Sequence, residues 1–151
     1  MPGSGTGTPS SDSNIALTID ALRYHLWDIT TANNLINDQE YSNDMLIIAR
    51  QNVIDKYNAT PPYYRSYTAE TFPAKFVYPW KCGAAAEALR MAARRYARNE
   101  LPYSAGGVSI NDQNKAAVYM QLAAEQDMVF LNWMHSYNLY ETAMNSFMKL
   151  D

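Results

Sequence analysis

Residues 111–151 read NDQNKAAVYMQLAAEQDMVFLNWMHSYNLYETAMNSFMKLD, a run with neither proline nor glycine. Asn111 or Asp112 offers a side-chain oxygen to the free amides that open a helix. From there the chain can stay helical for roughly 35 residues, about 55 Å at 1.5 Å per residue. That is about three times the mean length of a globular helix. Phe130, Trp133, Tyr137, Tyr140, Met144 and Phe147 step by 3, 4, 3, 4 and 3, the coiled-coil period that keeps a row of side chains on one side of a helix. Met120, Ala124, Leu131 and Met134 form a second row beside it. One short helical domain has too little surface to cover so much of one helix. The row is therefore expected to be shared between the domain's own core and a neighbouring subunit, and on that reading Trp133→Ala weakens assembly more than folding.

The segment before this helix, LPYSAGGVSI from Leu101 to Ile110, reads as a turn-rich connector. Pro102 disfavours helix for the residue before it, and Gly106-Gly107 opens backbone angles closed to other residues.

Composition narrows the function classes. With 151 residues, 48% of them hydrophobic, the chain suits one domain with a real core. Charged residues are only 18%, somewhat low for a lone soluble monomer. Tyr, Trp and Met are abundant, and they supply contact surfaces with large area and a polar or adaptable handle. A net charge of −3 gives no global field toward nucleic acid or an acidic membrane. Cys82 is the only cysteine, so no internal disulfide or zinc cage forms, which points to a reducing compartment. No apolar run reaches 18 residues and no basic-then-apolar leader opens the chain, so neither a membrane span nor a secretion signal is expected.

Residues 1–14, MPGSGTGTPSSDSN, read as a flexible arm without core-forming residues, expected to lie extended across an adjacent subunit or another protein; the domain is taken as 15–151. Ile15 to Trp27 holds a short helix, with Thr18 as N-cap and Asp20 in the first turn where the dipole favours a negative charge. Asp28 to Tyr41 is a polar loop anchored by Leu35 and Ile36. Ser42 opens a second helix with the stripe Met45, Ile48, Ala49, Val53 and Tyr57, widened by Leu46 and Ile47; it ends at Asn58, and Pro61-Pro62 prevents its resumption. Thr60 to Trp80 is rich in aromatics and prolines and reads as an extended loop with a short strand near Lys75 to Tyr78. A loop that long has a function or a partner, or serves as an ordered flap over the helices; Tyr63, Tyr64, Tyr67 and Trp80 are its candidate contacts. Lys81 to Asn99 is a third helix whose alanines allow close helix approach. Its other side carries Arg90, Arg94 and Arg98 at i, i+4 and i+8, with Arg95 beside them. The stripe suits an acidic partner surface or a nucleic-acid backbone, or else a solvated face paired with Glu87 and Glu100.

No catalytic constellation stands out. His25 and His135 lack ligand spacing. Ser104 lacks a G-x-S-x-G surround. Cys82 precedes an alanine-rich helix and suits a small buried role. Asp38-x-Glu40 offers two carboxylates, too few for a cation site. Gly3-x-Gly5-x-Gly7 lacks the flanking strand and helix of a dinucleotide loop. An enzyme is the weaker class, and no metal or cofactor is expected.

The order of segments is informative. LTIDALRYHLWD (17–28) is followed by NLINDQEYSNDMLIIA (34–49), KYNATPP (56–62) and YTAETFP (67–73); RNELPYSAGGVSINDQNKAAVY (98–119) then leads into the long final helix. This series resembles the small helical virion proteins that serve tailed bacteriophages as head–tail connectors or adaptors at the neck. The resemblance spans roughly residues 17–148, and its most specific part is Arg98 to Tyr119. It implies a homo-oligomeric ring beneath the portal protein, often twelve-fold, that bridges to tail or neck proteins and lets double-stranded DNA pass without sequence-specific binding. It also implies a virion location, assembly in the host cytoplasm and no active site. The expectation is thus an all-α fold of four helices, with a long C-terminal helix, an extended aromatic loop and the flexible arm. Subunit contacts are expected at Phe130, Trp133, Tyr137, Tyr140, Met144 and Phe147, with Tyr63, Tyr64, Tyr67, Trp80 and the three arginines reaching neighbours. A tail-completion, capsid-associated or baseplate component is the second reading, and a nucleic-acid-binding regulator using Arg90, Arg94 and Arg98 the third.

Overall fold

Helices pack only as closely as the side chains between their axes allow, and the third helix of this chain presents its smallest residues inward. The computed structural model describes residues 14–31, 38–98, 103–105, 108–110 and 113–149. Its elements are α1 (Ile19–Leu26), α2 (Asn43–Asn58), a 3-10 turn (Ala74–Phe76) running into α3 (Val77–Arg98), β1 (Tyr103–Ala105), β2 (Val108–Ile110) and α4 (Gln113–Met148). The fold is all-α, with α3 at its centre: α4 packs along it most extensively, then α2, then α1. Cys82, Ala84, Ala85, Ala86, Ala88, Ala92 and Ala93 are all buried on α3. Among the described residues no helix is long and apolar enough to cross a membrane.

Gly83 sets the closest approach. A Cβ there would stand 3.0 Å from Phe130 Cγ on α4 and 3.0 Å from Val53 Cγ1 on α2. Only hydrogen at this position lets both neighbours close on α3 at one level. Three residues earlier, Trp80 is wholly buried and donates its indole N–H to the Arg50 carbonyl at 3.0 Å. Trp80 was expected to reach a neighbour; it is a core residue instead, because the helix begins earlier than its prolines suggest. Pro79 lies in the first turn of α3, where its missing N–H has no intrahelical acceptor to lose. The expected strand near Lys75 to Tyr78 is replaced by the 3-10 turn and the start of α3.

The helix starts follow their caps. The Thr18 hydroxyl accepts from the Ala21 amide at 3.1 Å, and the Ser42 hydroxyl from the Met45 amide at 3.2 Å. The buried face of α2 is rotated from the expected stripe. Leu46, Ala49, Arg50, Val53, Ile54 and Tyr57 are inside, while Ile47 and Ile48 are exposed. The cause is the buried Arg50, whose guanidinium donates to the Leu17 carbonyl at 2.8 Å and turns that side of α2 toward the residues preceding α1. Arg23 has a similar role. It donates to Asp28 at 2.8 Å and to the Tyr41 carbonyl and the Asn43 side chain at 2.7 Å each, while Asp28 accepts from the Glu40 and Tyr41 amides. Both ends of the polar loop are thereby tied to α1. The expected connector contains a hairpin, with Tyr103 opposite Ile110 and Ala105 opposite Val108. The arm up to residue 13, Leu35 and Ile36, and Asn111 and Asp112 lie outside the described residues.

Gly83→Ala is expected to destabilise the fold by about 1–3 kcal/mol through overpacking, although alanine is the better helix former by about 1 kcal/mol. Urea unfolding checks the sign.

Candidate assembly surface

The aromatic row on α4 divides into two halves. Phe130 is fully buried among the chain's own core residues, so it offers no surface to a partner. Trp133 and Tyr137 are partly covered. The Trp133 ring lies 5.2 Å from Tyr57 and 4.9 Å from Phe76, and Tyr137 lies 4.7 Å from Phe76. Beyond them the cover ends: Tyr140, Met144, Phe147 and Met148 are 57%, 44%, 72% and 75% exposed. Among the described residues, nothing covers most of the outer half, whereas Phe130 is core and Trp133 and Tyr137 pack against the core. Trp133 is partly covered and packs against the core, so its truncation is expected to act on folding as well as on any contact its exposed part makes.

The loop between α2 and α3 is an ordered strap over the side of α4. The Asn58 side chain donates to the Tyr67 carbonyl at 2.9 Å and accepts from the Tyr67 amide at 3.0 Å, as an adjoining strand would. Tyr67 stacks on Tyr57 and meets Phe72 edge-on, which makes it a packing residue. Arg65 lies 4.1 Å over the Tyr57 ring and donates to Asn138 at 2.7 Å and Glu141 at 2.8 Å. The Tyr63 hydroxyl donates to Thr142 and accepts from Asn145 at 3.0 Å. Tyr64 is almost fully exposed. Of the four loop aromatics named from sequence, only Tyr64 thus presents most of its surface outward.

The arginine stripe also divides. Arg90 turns to α4, donating to Asp127 at 2.6 Å and Glu87 at 3.1 Å, with Lys56 3.4 Å from Glu87. Arg95 meets the carboxylate of Glu40 at 3.6 Å. Arg94 and Arg98 are exposed. His25 shares a hydrogen bond of 2.7 Å with Gln126 and joins α1 to α4.

Sequence reading missed the role of Glu40. Its carboxylate accepts from the Tyr119 hydroxyl at 2.8 Å and also from the Tyr96 hydroxyl, and the two rings stack at 5.3 Å. The tyrosines are 56 and 79 residues away in sequence, so no local spacing announces the clamp. Asp38 instead caps the Gln39 amide, so the Asp38-x-Glu40 pair does not converge on a cation. Among the described residues, no group of three His, Cys, Asp or Glu side chains does so either. Burial, then the Glu40 carboxylate, pushes the Tyr119 hydroxyl well above the usual tyrosine range and raises that of Tyr96; burial also pushes Tyr41 and Tyr57 well above it. Burial also raises the Cys82 thiol. Beside the clamp, an open pocket of about 500 Å³ is lined by Leu26, Trp27, Leu89, Lys115, Val118, Tyr119 and Leu122 among others. Trp27 is held at its rim by a left-handed backbone (φ 57°) that closes α1, leaving most of the indole exposed.

Comparison with family models, curated proteins and solved structures finds no match to this chain.

Trp133→Ala is expected to cost about 3–5 kcal/mol of folding stability, whereas Phe147→Ala stays within about 0.5 kcal/mol; denaturant unfolding distinguishes them. The tyrosine shifts fix a pH dependence. The folded chain keeps protons that the unfolded chain releases above about pH 10. The stability contributed by Tyr41, Tyr57, Tyr96 and Tyr119 is complete below that pH and is lost as pH rises through their folded values. Absorbance titration should show a late-ionising tyrosine class that disappears on unfolding, and Tyr119→Phe should shrink it.

Proposed function

We propose that the chain is a structural virion protein of a tailed bacteriophage, a head–tail connector whose copies form a ring joining the portal to the tail and leaving a passage for DNA. The observation that carries this reading is the outer half of the α4 row. The helix keeps exposed apolar residues on one side along a stretch that its own domain holds only through the polar contacts of the strap, and exposed apolar surface of that kind marks an interaction site. The sequence segments that resemble neck adaptors supply the location. A net charge of −3 per chain suits a passage through which DNA must slide. Arg90 and Arg95 are engaged within the chain, which leaves a smaller basic patch at Arg94 and Arg98 and weakens the regulator reading.

The test is to image particles that carry a tagged copy of the chain. A ring of density between portal and tail is the expected result. Density in the tail, baseplate or capsid would reassign the protein to another virion component, and its absence from particles would overturn the virion reading.

A further inference from the structure

Two carboxylates line the open pocket beside the Glu40 clamp, and each is already matched by a cation of the same chain. Asp28 meets Arg23 at 2.8 Å and accepts from the Glu40 and Tyr41 amides. Glu40 takes the Tyr96 and Tyr119 hydroxyls and lies 3.6 Å from Arg95. Lys115 is the remaining charge of the wall. It is exposed, and its ammonium stands 4.9 Å from the centroid of the Tyr96 ring, with no carboxylate at ion-pair distance among the described residues. Arg23, Arg95 and Lys115 thus face Asp28 and Glu40, which leaves one positive charge over. Tyr41 adds a second donor. It is only 2% exposed and lines the same pocket. Its hydrogen bonds run through the backbone, the amide donating to Asp28 and the carbonyl accepting from Arg23, so among the described residues its hydroxyl has no partner. Buried hydroxyls are nearly always paired, and burial holds the proton on this one well past the ordinary tyrosine range. The rest of the wall is chiefly apolar, with Leu26, Leu89 and Leu122 in it and the exposed Trp27 indole at the rim. Glycine is the usual residue at a left-handed position that ends a helix; this chain places a large apolar ring there instead.

We infer that this pocket binds a small carboxylic acid with an apolar body, an aryl or medium-chain acid, its carboxylate held by the Lys115 ammonium and the Tyr41 hydroxyl and its body against Leu26, Leu89, Leu122 and the Trp27 indole. The polar groups select the class by sign. Both are donors, and the acceptors of the wall are already engaged, so the ligand must bring the acceptor. A carboxylate has two oxygens and takes several donors at once. One surplus positive charge matches a monoanion. A cationic ligand would meet that surplus with both acids occupied, and a neutral apolar one would leave the buried hydroxyl unpaired at the full cost of its desolvation. Size agrees: about 500 Å³ lies in the range of small-molecule sites, which are mostly apolar with a few placed polar groups. The site requires no ring and no portal, so it stands apart from the neck assignment.

The test is calorimetric titration of the full chain with 2-naphthoate and with 2-naphthamide, its uncharged counterpart. Naphthoate should bind at a single site, about tenfold more tightly than naphthamide. Tyr41→Phe, which removes only the hydroxyl, should weaken naphthoate about tenfold. Lys115→Met, at an exposed position, should weaken it about fivefold. Both variants should leave naphthamide affinity where it was, whereas Trp27→Ser should weaken the two probes by the same factor. Circular dichroism and thermal melting check that each variant is folded. The inference is overturned if naphthoate does not bind, if naphthamide binds equally well, or if the Lys115 and Tyr41 variants keep wild-type affinity for naphthoate. Naphthoate binding that appears only in a Leu35→Ser/Ile36→Ser variant would give the pocket to the chain's own side chains and overturn it as well. None of these results bears on whether the chain is found at a particle's neck.

Discussion

The absence of one carbon atom governs this fold. Gly83 lets Val53 from one side and Phe130 from the other reach the backbone of α3 at the same level, and the alanines that follow keep the gap narrow for two more turns. Everything placed by α2 and α4 relative to each other depends on that distance. Trp80 can then seal the layer below by spending its only polar atom on the Arg50 carbonyl. Trp133 bridges Tyr57 on α2 and Phe76 ahead of α3, which it could not do across a wider spacing. The core is a stack of rings clasped around a slender central helix.

Around that stack, polar side chains act as ties between segments distant in sequence. Arg23 and Arg50 each cover a backbone carbonyl from the regions flanking α1, and Arg90 crosses from α3 to Asp127 on α4. These are partly or wholly buried ions, and removing one partner would leave the other without compensation in a poorly solvated site. Among the described residues, Asp127 Oδ1 and the Tyr57 hydroxyl have no hydrogen-bond partner, although Lys56 Nζ stands 3.9 Å from Asp127 Oδ1.

The parts legible in the sequence were those with local physical signals. The caps at Thr18 and Ser42 follow from a hydroxyl within reach of free amides, and the extent of α4 from a long run without a breaker. The close approach along α3 follows from its alanines. The errors have a common origin in tertiary contact. Whether Phe130 or Phe147 is covered depends on where α3 and the strap end, which periodicity along α4 does not encode. Ile48 and Arg50 exchange inside for outside because a buried guanidinium finds a carbonyl more than thirty residues away. Trp80 looked like a loop residue because Pro79 precedes it, yet proline is tolerated in a first turn. The Glu40 clamp joins three separate segments and leaves no trace in local spacing.

The strap that crosses from Asn58 to Phe72 has a mechanical consequence. Its grip on α4 through Tyr63 and Arg65 spans Asn138 to Asn145, so the last turn projects like a short lever beyond its fulcrum. A load applied at that tip bears first on hydrogen bonds and one ion pair near the surface, and only afterwards on the ring stack. The coupling between the tip and the body is therefore set by a few polar contacts, whose strength can change without any repacking of the interior.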